Sequence, residues 1–372
     1  MQKNIEIKGK YINALVYSDD CQKQALDKIE QIVSLKASKG TVIRVMPDVH
    51  PAGVGVVGLT MKLADKVMPA LVGYDIGCGI TYVKFKAKNI ELSKLDKTIK
   101  KNIPSGSSIR DKTHLYSKDF DFDNFICRRH INIDKAKGSL GTLGGGNHFI
   151  ELGKDDEGYM YLFVHSGSRG VGREIAEHYL REGQKVLKKR GEDIPYELTY
   201  LEDELFEDYI KDCLTAVEYS MLNREIILRE ILKPLKIKAE YWGECIHNYI
   251  DEEHILRKGA ISAKVDEEVV IPINMRDGIV LGVGKGNSEW NFSAPHGAGR
   301  LLSRAEVKER YTASQLKKEM SGIYMGADAK DCLDEAPFAY RSVEQIKNQI
   351  KDTVEIKKII KPIYNYKADE RR

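Results

Sequence analysis

The chain has 372 residues, of which 42% are hydrophobic and 31% are charged, and its net charge is +3. This composition is typical of a folded globular protein and excludes a disordered chain. The amino terminus is polar, and no apolar run approaches the roughly 18 residues that cross a bilayer, which argues against a signal peptide or membrane anchor. We therefore expect a cytoplasmic protein with no membrane partner.

The hydrophobic pattern predicts both helices and strands. In chain order these are a helix over residues 21–38, buried strands over 41–46, 67–74 and 159–164, and helices over 172–189, 201–231 and 341–360. No repeat or Pro/Gly-rich linker divides the chain. We therefore predict a single α+β domain over residues 1–372, with a mixed sheet core and peripheral helices.

Local features carry more information than the net charge. The stretch from Lys97 to Lys137 is rich in basic residues and is a candidate surface for nucleic acid, with a solvated loop face as the alternative. The six cysteines are scattered without a CxxC pair, so we expect buried thiols rather than disulfides.

Five of the nine histidines lie in loops rich in glycine or proline rather than on helical faces. A single histidine in such a loop is more often structural, but binding residues concentrate on loops that rigid elements hold in place. The candidate functional histidines are His50, His148, His165, His247 and His296.

The segment GYDIGCG (residues 73–79) presents Asp75 and Cys78 on a glycine-rich turn. A carboxylate and a thiolate both bind metal ions, and a thiolate can bridge two of them. Together with His148, His165 and His247 they would form a mixed ligand set suited to Mn²⁺, Zn²⁺ or Fe²⁺ rather than Mg²⁺. Such a set exceeds what one catalytic ion with an open position takes, which predicts two ions. A capping aspartate beside a buried cysteine is the alternative.

Two glycine-rich segments are suited to phosphate. In GTLGGGNH (residues 141–148) the backbone N–H groups can approach an anion closely. SGSRGVG (residues 166–172) leads into a predicted helix, whose N-terminus favours anions, and Arg169 is a candidate clamp. Neither segment is a Walker A loop or a dinucleotide-binding fingerprint, so the common nucleotide-binding folds are not indicated.

The segment APHGAGR (residues 294–300) surrounds His296 with small residues. Its glycines would let a bulky group reach the imidazole, which can act as a nucleophile toward phosphorus. Arg300 would then neutralise the developing charge. A turn histidine is the alternative for this segment taken alone.

In chain order, a series of short motifs closely resembles the signature of the RtcB family of RNA-splicing ligases: MPDVH, GYDIGCG, GTLGGGNHFIE, VHSGSRGVG, CIHNYI, RKGAISA, GKGN, PHGAGR and DEAPFAY. They cover the chain from about residue 44 to Lys367. The resemblance implies the α+β fold of that family around a two-manganese centre. It also implies an enzyme that uses GTP to join an RNA 3′-phosphate or 2′,3′-cyclic phosphate end to a 5′-hydroxyl end.

The resemblance further implies residue roles. Cys78 matches a ligand that bridges two Mn²⁺ ions, His296 matches the histidine that takes GMP, and Asp48 matches an acidic residue near the reacting groups. The remaining metal ligands match Asp75, His148, His165 and His247. The positions that hold the nucleotide match Asn147, Glu151, Lys258, Ala298, Gly299, Arg300, Tyr340 and Lys367.

The chain departs from the family pattern in three places. One is the segment PAGV after His50, which lacks the more polar residues of many relatives. Asn274, which we also assign to the nucleotide, and Ile279 stand where the family has serines. An amide still donates to a phosphate oxygen, whereas Ile279 cannot, so we expect altered nucleotide handling. In addition, Lys367 is followed by ADERR rather than by a single glycine.

Two other functions stay open at this point. A dinuclear-metal phosphodiesterase or RNA phosphatase would use the same ligands but leaves PHGAGR and Lys367 without a role, and a covalent GMP adduct distinguishes it. An RNA-binding or end-capping repair factor would activate RNA ends without sealing them, and matched RNA ends distinguish it. We expect a monomer whose partners are GTP and RNA ends, with an activating helper protein as an open alternative.

Overall fold

The structure is a computed structural model that describes residues 4–18, 20–87 and 89–367. The strands are β1 (Ile5–Lys8), β2 (Asn13–Val16), β3 (Val42–Pro51), β4 (Val56–Lys62), β5 (Gly79–Lys86), β6 (Phe149–Lys154), β7 (Tyr159–Ser166), β8 (Tyr241–Ile246), β9 (Asn248–Ile250), β10 (Ile255–Lys258), β11 (Ala260–Ser262), β12 (Glu268–Asn274), β13 (Gly278–Gly284), β14 (Ser293–Pro295), β15 (Tyr324–Met325) and β16 (Val354–Lys367). The helices are α1 (Lys23–Val33), α2 (Pro69–Val72), α3 (Leu92–Asn102), α4 (Ile133–Ser139), α5 (Val171–Lys189), α6 (Asp203–Leu235), α7 (Arg304–Arg310), α8 (Ala313–Glu319), α9 (Ala329–Cys332) and α10 (Val343–Ile350). Short 3₁₀ turns lie between them. The predicted mixture of sheets and helices is confirmed.

One sheet has six strands in the order β1-β2-β3-β4-β10-β9. Helix α1 packs against it and buries Ala25, Ile29, Ile32 and Val33, the apolar face expected of an amphipathic helix. The helix and the strand predicted for residues 21–46 are therefore confirmed. The pairing of β3 with β4 shifts register between Val45 and His50.

The larger sheet has the order β12-β13-β16-β6-β7-β5-β8, and β15 adds to β16 in parallel. Strand β7 confirms the strand predicted at residues 159–164. Helix α6 packs against β5 and β7 and spans 33 residues, about 50 Å at 1.5 Å per residue. Helices α5 and α6 also confirm the predictions at 172–189 and 201–231.

Two predictions were wrong in part. Residues 67–74 contain the short helix α2 instead of a strand. Four buried apolar residues do not distinguish a strand from a helix, and Pro69 fits the first helical turn, where its missing N–H is not needed. The helix predicted at 341–360 ends at Ile350, and β16 follows from Val354. Residues 354–363 contain one valine and four isoleucines, and β-branched residues of this kind favour a strand.

Within the described ranges, no helix is both long and apolar enough to cross a membrane. The predicted departure at residues 368–372, like the first three residues of the chain, lies outside the described residues.

Candidate active site

The metal-ligand candidates lie where neighbouring strands of the larger sheet begin or end, at one end of the sheet. Strand β5 starts directly after Cys78, β6 starts directly after His148, and β8 ends directly before His247. His165 is the penultimate residue of β7. The residues paired across the strands are Gly79 with Ser166, Gly79 with Ile246, and Phe149 with His165. This register brings side chains that are far apart in sequence to one place.

The ligand atoms form two groups that share Cys78. One consists of Cys78, His165 and His247, and the other of Asp75, Cys78 and His148. Cys78 Sγ lies 3.5 Å from His148 Nε2 and 3.3 Å from His165 Nε2. His165 Nε2 lies 3.2 Å from His247 Nε2, and His148 Nε2 lies 3.1 Å from Asp75 Oδ2. Two atoms that bind one ion at about 2.0–2.3 Å lie at most about 4.6 Å apart, so each group fits one coordination sphere.

The protonation states of these residues also fit a metal site. His148 Nδ1 donates to a backbone carbonyl at 2.8 Å, which leaves the lone pair on Nε2. Burial lowers the pKa of His165 and of His247 well below the usual value, so both imidazoles are neutral. Burial and the Asp75 carboxylate raise the pKa of the Cys78 thiol, and a bound cation would favour the thiolate instead.

Arg224 of helix α6 joins two of the ligand loops. Its side chain is fully buried, and one terminal nitrogen donates to the carbonyls of Gly77 and Ser166, both at 2.7 Å. These carbonyls belong to the residue before Cys78 and the residue after His165. The remaining donors bind Thr81 and the Glu244 carboxylate. Arg224 therefore sets the spacing between two ligand-bearing segments.

Asn223, the preceding residue, holds the third ligand loop. Its side-chain oxygen accepts from the N–H groups of Gly141 at 2.8 Å and Thr142 at 3.1 Å, in the segment that leads to His148. Its amide donates to Thr142, Ser166 and Gly167. Ser220, one turn earlier on α6, packs against the GYDIGCG turn. A Cβ added to Gly77 would lie 2.5 Å from the Ser220 hydroxyl oxygen, and Gly77 has a φ of +78°, so only glycine fits there.

His296 lies beside this centre, and its ring centroid is 4.9 Å from that of His247. Strand β14 presents it, and its Nδ1 lies 2.7 Å from Oδ2 of Asp48, which is almost fully buried. The backbone of Gly299, at φ +72°, passes so close to Asp48 that a Cβ would lie 2.8 Å from the aspartate Cα. The structure therefore places Asp48 and His296 together.

Two cavities meet at His296. The first has a volume of about 380 Å³ and the second of about 390 Å³, and both are lined in part by His50, Asn147, His247 and His296. Both volumes lie within the usual range for small-molecule sites, roughly 300–1,000 Å³. The other predicted nucleotide residues that line the first cavity are Glu151, Asn274, Ala298, Gly299, Arg300, Tyr340 and Lys367.

The first cavity combines an acidic side chain and an ammonium group. Glu151 is buried, its Oε1 has no hydrogen-bond partner among the described residues, and burial raises its pKa well above the usual value. Lys367 is buried too and donates to Asp334 at 2.8 Å. Arg300 donates to Tyr340 at 3.0 Å and to the Asp334 carbonyl, and it contacts Glu335 at 3.3 Å.

Three residues whose motifs indicated a place at the phosphate or the nucleotide do not line the first cavity. Lys258 lines the second cavity and donates to the carbonyl of Ala70 at 2.9 Å, and burial lowers its pKa to about 8. Arg169 lines neither cavity and donates instead to Thr142 and to a backbone carbonyl. Ile279 packs in the apolar core between β12 and β16 and does not line the first cavity.

Several residues at the site received no role from the sequence. His50 Nδ1 lies 2.9 Å from the Asp48 carbonyl, and the Asn248 amide donates to the carbonyl of Asp75 at 3.3 Å. Glu335, in the DEAPFAY motif, lines the first cavity. Their motifs carried a signal, since Asn248 directly follows His247 in CIHNYI and His50 ends MPDVH.

The fold and the clustered donor atoms define this chain as a candidate metalloenzyme, with a histidine–aspartate pair set against the metal ligands. The family model described as tRNA-splicing ligase RtcB matches residues 29–127 and 126–368. The chain therefore belongs to the RtcB family, and the predicted resemblance is confirmed.

Curated relatives agree with this assignment. The chain is 29% identical to the RNA-splicing ligase RtcB of Escherichia coli strain K12, over 84% of this chain and 87% of that protein. It is 28% identical to the tRNA-splicing ligase RtcB of Aeropyrum pernix, over 90% of each chain. It is 29% identical to the tRNA-splicing ligase RtcB of Thermococcus kodakarensis, over 89% of each chain.

Proposed function

We propose that this protein is an RNA ligase that joins a 3′-phosphate or 2′,3′-cyclic phosphate end to a 5′-hydroxyl end, through GMP carried on His296, in tRNA splicing or RNA repair. The observation that carries the proposal is the position of His296. It lies where a nucleotide-sized cavity adjoins the metal-ligand groups, and Asp48 orients its ring. The names of the relatives, RNA-splicing and tRNA-splicing ligases, support the substrate class.

The Asp48 contact supports a nucleophilic role for His296. A carboxylate only accepts hydrogen bonds, so the 2.7 Å contact places the imidazole proton on Nδ1. The lone pair is then on Nε2, the atom that would attack phosphorus. As the P–N bond forms, the ring becomes cationic, and Asp48 stabilises that charge as a carboxylate does in other orienting pairs.

The first cavity is suited to guanine. Guanine presents N–H donors at N1 and N2 beside an acceptor at O6. The free oxygen of Glu151 would accept from the donors, and Lys367 would donate to O6. Adenine would direct its N6 amino group at the ammonium and would leave the carboxylate without donors, so this pair of side chains favours GTP over ATP.

The donor set fits two Mn²⁺ ions, with Cys78 shared and Asp75, His148, His165 and His247 completing the two groups. When bound, the ions would supply Lewis-acid stabilisation of negative charge on phosphate oxygens. The residues of the chain hold that donor set in place through Arg224 and Asn223, as described above.

The proposed reaction has three steps. His296 Nε2 attacks the α-phosphorus of GTP, a P–N bond forms, and pyrophosphate leaves. An oxygen of the RNA 3′-phosphate then attacks the same phosphorus, the P–N bond breaks, and the RNA end carries a 3′-pp-G group. Finally a 5′-hydroxyl attacks the RNA phosphorus, its proton is lost, a phosphodiester forms, and GMP leaves. Arg300 lines the cavity where charge develops in the first step.

The test is a covalent adduct. Incubation with α-labelled GTP and Mn²⁺ should label the protein, and the label should survive alkali and be lost in acid, as expected of a phosphoramidate. His296→Ala should abolish the label and the joining of 3′-phosphate ends. The same variant should still join RNA that already carries a 3′-pp-G end, because that substrate bypasses the histidine.

Three results would contradict the proposal. One is a label that maps to a residue other than His296. The second is hydrolysis of phosphate ends without any adduct, which would indicate a dinuclear-metal phosphodiesterase or phosphatase. The third is an adduct without sealing of matched ends, which would indicate an end-capping factor.

A further inference from the structure

The second cavity has features that the nucleotide does not account for. It is lined by the metal-ligand candidates Asp75 and Cys78 and by His296 and Lys258. Apolar side chains from residues 52–57 and from the short helix at 69–72 line it as well. The cavity therefore joins a cationic, metal-binding end to a surface suited to a flat apolar group.

Tyr74 stands at this cavity and directly precedes Asp75. The Cα atoms of the two residues are about 3.8 Å apart because they are consecutive. Although it lines the cavity, Tyr74 is 44% exposed. The guanidinium carbon of Arg173, near the start of helix α5, lies 5.6 Å from the centre of its ring. An exposed aromatic ring backed by an arginine is the arrangement on which proteins stack single-stranded bases.

A second exposed tyrosine, Tyr196, lies in a 3₁₀ turn that contacts helix α5. Tyr196 is 40% exposed. Burial raises the pKa of its phenol, and the neighbouring charges of Arg181 and Tyr74 also act on it. Arg181 lies two helical turns after Arg173 on α5, so both arginines are on the same face of that helix.

We propose that the second cavity holds the 3′-phosphate end of the RNA, with Tyr74, backed by Arg173, stacked on its terminal base. The inference rests on the proposed function, which requires a second substrate beside His296 while the first cavity holds the nucleotide. Of the two RNA ends, the 3′-phosphate is the anionic one, and it would be attracted to Lys258 and to the cations that Asp75 and Cys78 would hold. The 5′-hydroxyl end is neutral and has no need of a cationic partner.

The direct test uses an oligoribonucleotide with 2-aminopurine as its 3′-terminal base and a 3′-phosphate, added to the Mn²⁺-loaded protein without GTP. Stacking on Tyr74 should quench the fluorescence of 2-aminopurine. Tyr74→Ala and Tyr74→Leu should lose the quenching and weaken binding about 5- to 150-fold, the range expected for one base–aromatic stack. Tyr74→Phe keeps the ring and should retain both. Tyr241→Ala is the matched control, since Tyr241 is 47% exposed at the far end of β8 from His247.

A second measurement separates this inference from the proposed function. Formation of the GMP adduct needs no RNA, so Tyr74→Ala should form it at the wild-type rate while its KM for the 3′-phosphate end rises. The inference is overturned if Tyr74→Ala binds the RNA as wild type does, or if adduct formation falls as much as RNA binding. If the wild-type protein forms no adduct but Tyr74→Ala still loses RNA binding and quenching, the proposed function fails and the RNA subsite stands.

Discussion

Removing the guanidinium of Arg224 tests whether helix α6 organises the metal-ligand loops. In the folded protein one nitrogen of this side chain holds the carbonyls of Gly77 and Ser166 together, each at 2.7 Å. The perturbation is Arg224→Met, which keeps much of the volume of the side chain but removes its donors. We expect a loss of stability together with a loss of metal affinity.

The magnitude follows from the contacts. Breaking a buried ion pair by removing one partner costs about 3–5 kcal/mol, because the other charge stays without compensation. Glu244, the partner of Arg224, is 23% exposed, and water can compensate part of its charge, so we expect the lower half of that range, about 3–4 kcal/mol. For the metal, loss of a group that orients the ligands lowers affinity by roughly 10- to 100-fold.

The assay combines urea unfolding of the metal-free protein with metal titration of the folded protein. Arg229→Met is the matched control, because Arg229 lies on the same helix and pairs with Glu225 at 2.6 Å but is 48% exposed. An exposed pair of this kind contributes about 0.3–0.5 kcal/mol. If the two variants have equal stability and equal metal affinity, Arg224 does not organise the centre. Metal affinity unchanged in a destabilised Arg224→Met would limit its role to folding.

Three further predictions concern single side chains. Cys78→Ala should remove most bound metal while the protein stays folded. If metal analysis finds two ions retained, Cys78 does not bridge them. Cys213→Ala is the control, because Cys213 is a buried cysteine of α6. Burial raises the pKa of Glu151 well above its usual value, whereas guanine donors need the carboxylate, so GTP binding favours loss of the proton. GTP binding should therefore tighten as pH rises, and Glu151→Gln should bind about tenfold more weakly without this pH dependence, as measured by calorimetry. Ile279→Ser should destabilise the protein by about 2–4 kcal/mol in urea, since the residue is 1% exposed in the core, without tightening GTP binding.

The residue types of the site were predictable, but their convergence was not. Aspartate, cysteine and histidine among glycines indicate metal chemistry wherever they lie in the chain. What brings Cys78, His148, His165 and His247 together is the pairing of β5 with β7 and β8, and of β6 with β7. Cross-strand register depends on contacts between distant segments, so local patterns did not contain it. The family resemblance supplied what the local patterns lacked.

The sequence did not predict that Asn223 and Arg224 of helix α6 hold the ligand loops. In the sequence, apolar residues recur every four positions from Leu201 to Met221, a spacing that predicts one buried face, but Met221 is 37% exposed. A helix has 3.6 residues per turn, so each four-residue step drifts by about 40° around the axis. Leu201 precedes the helix, and the four steps from Leu205 to Met221 carry the stripe about 160° around the axis. The buried face of the second half therefore includes Asn223 and Arg224, which a polarity pattern would assign to solvent.

Asn223 and Arg224 hold in place the flexible, glycine-rich loops that carry the metal ligands. Glycine-rich loops lose more conformational entropy on folding than other segments, yet metal ligands must be held within a few tenths of an ångström. Backbone groups in such loops also need partners once they are buried. Asn223 and Arg224 meet both requirements, because one rigid helix satisfies the backbone of three loops at once. Both ligand groups are thereby tied to the same helix, so a displacement of α6 would disturb the two metal positions together rather than one at a time.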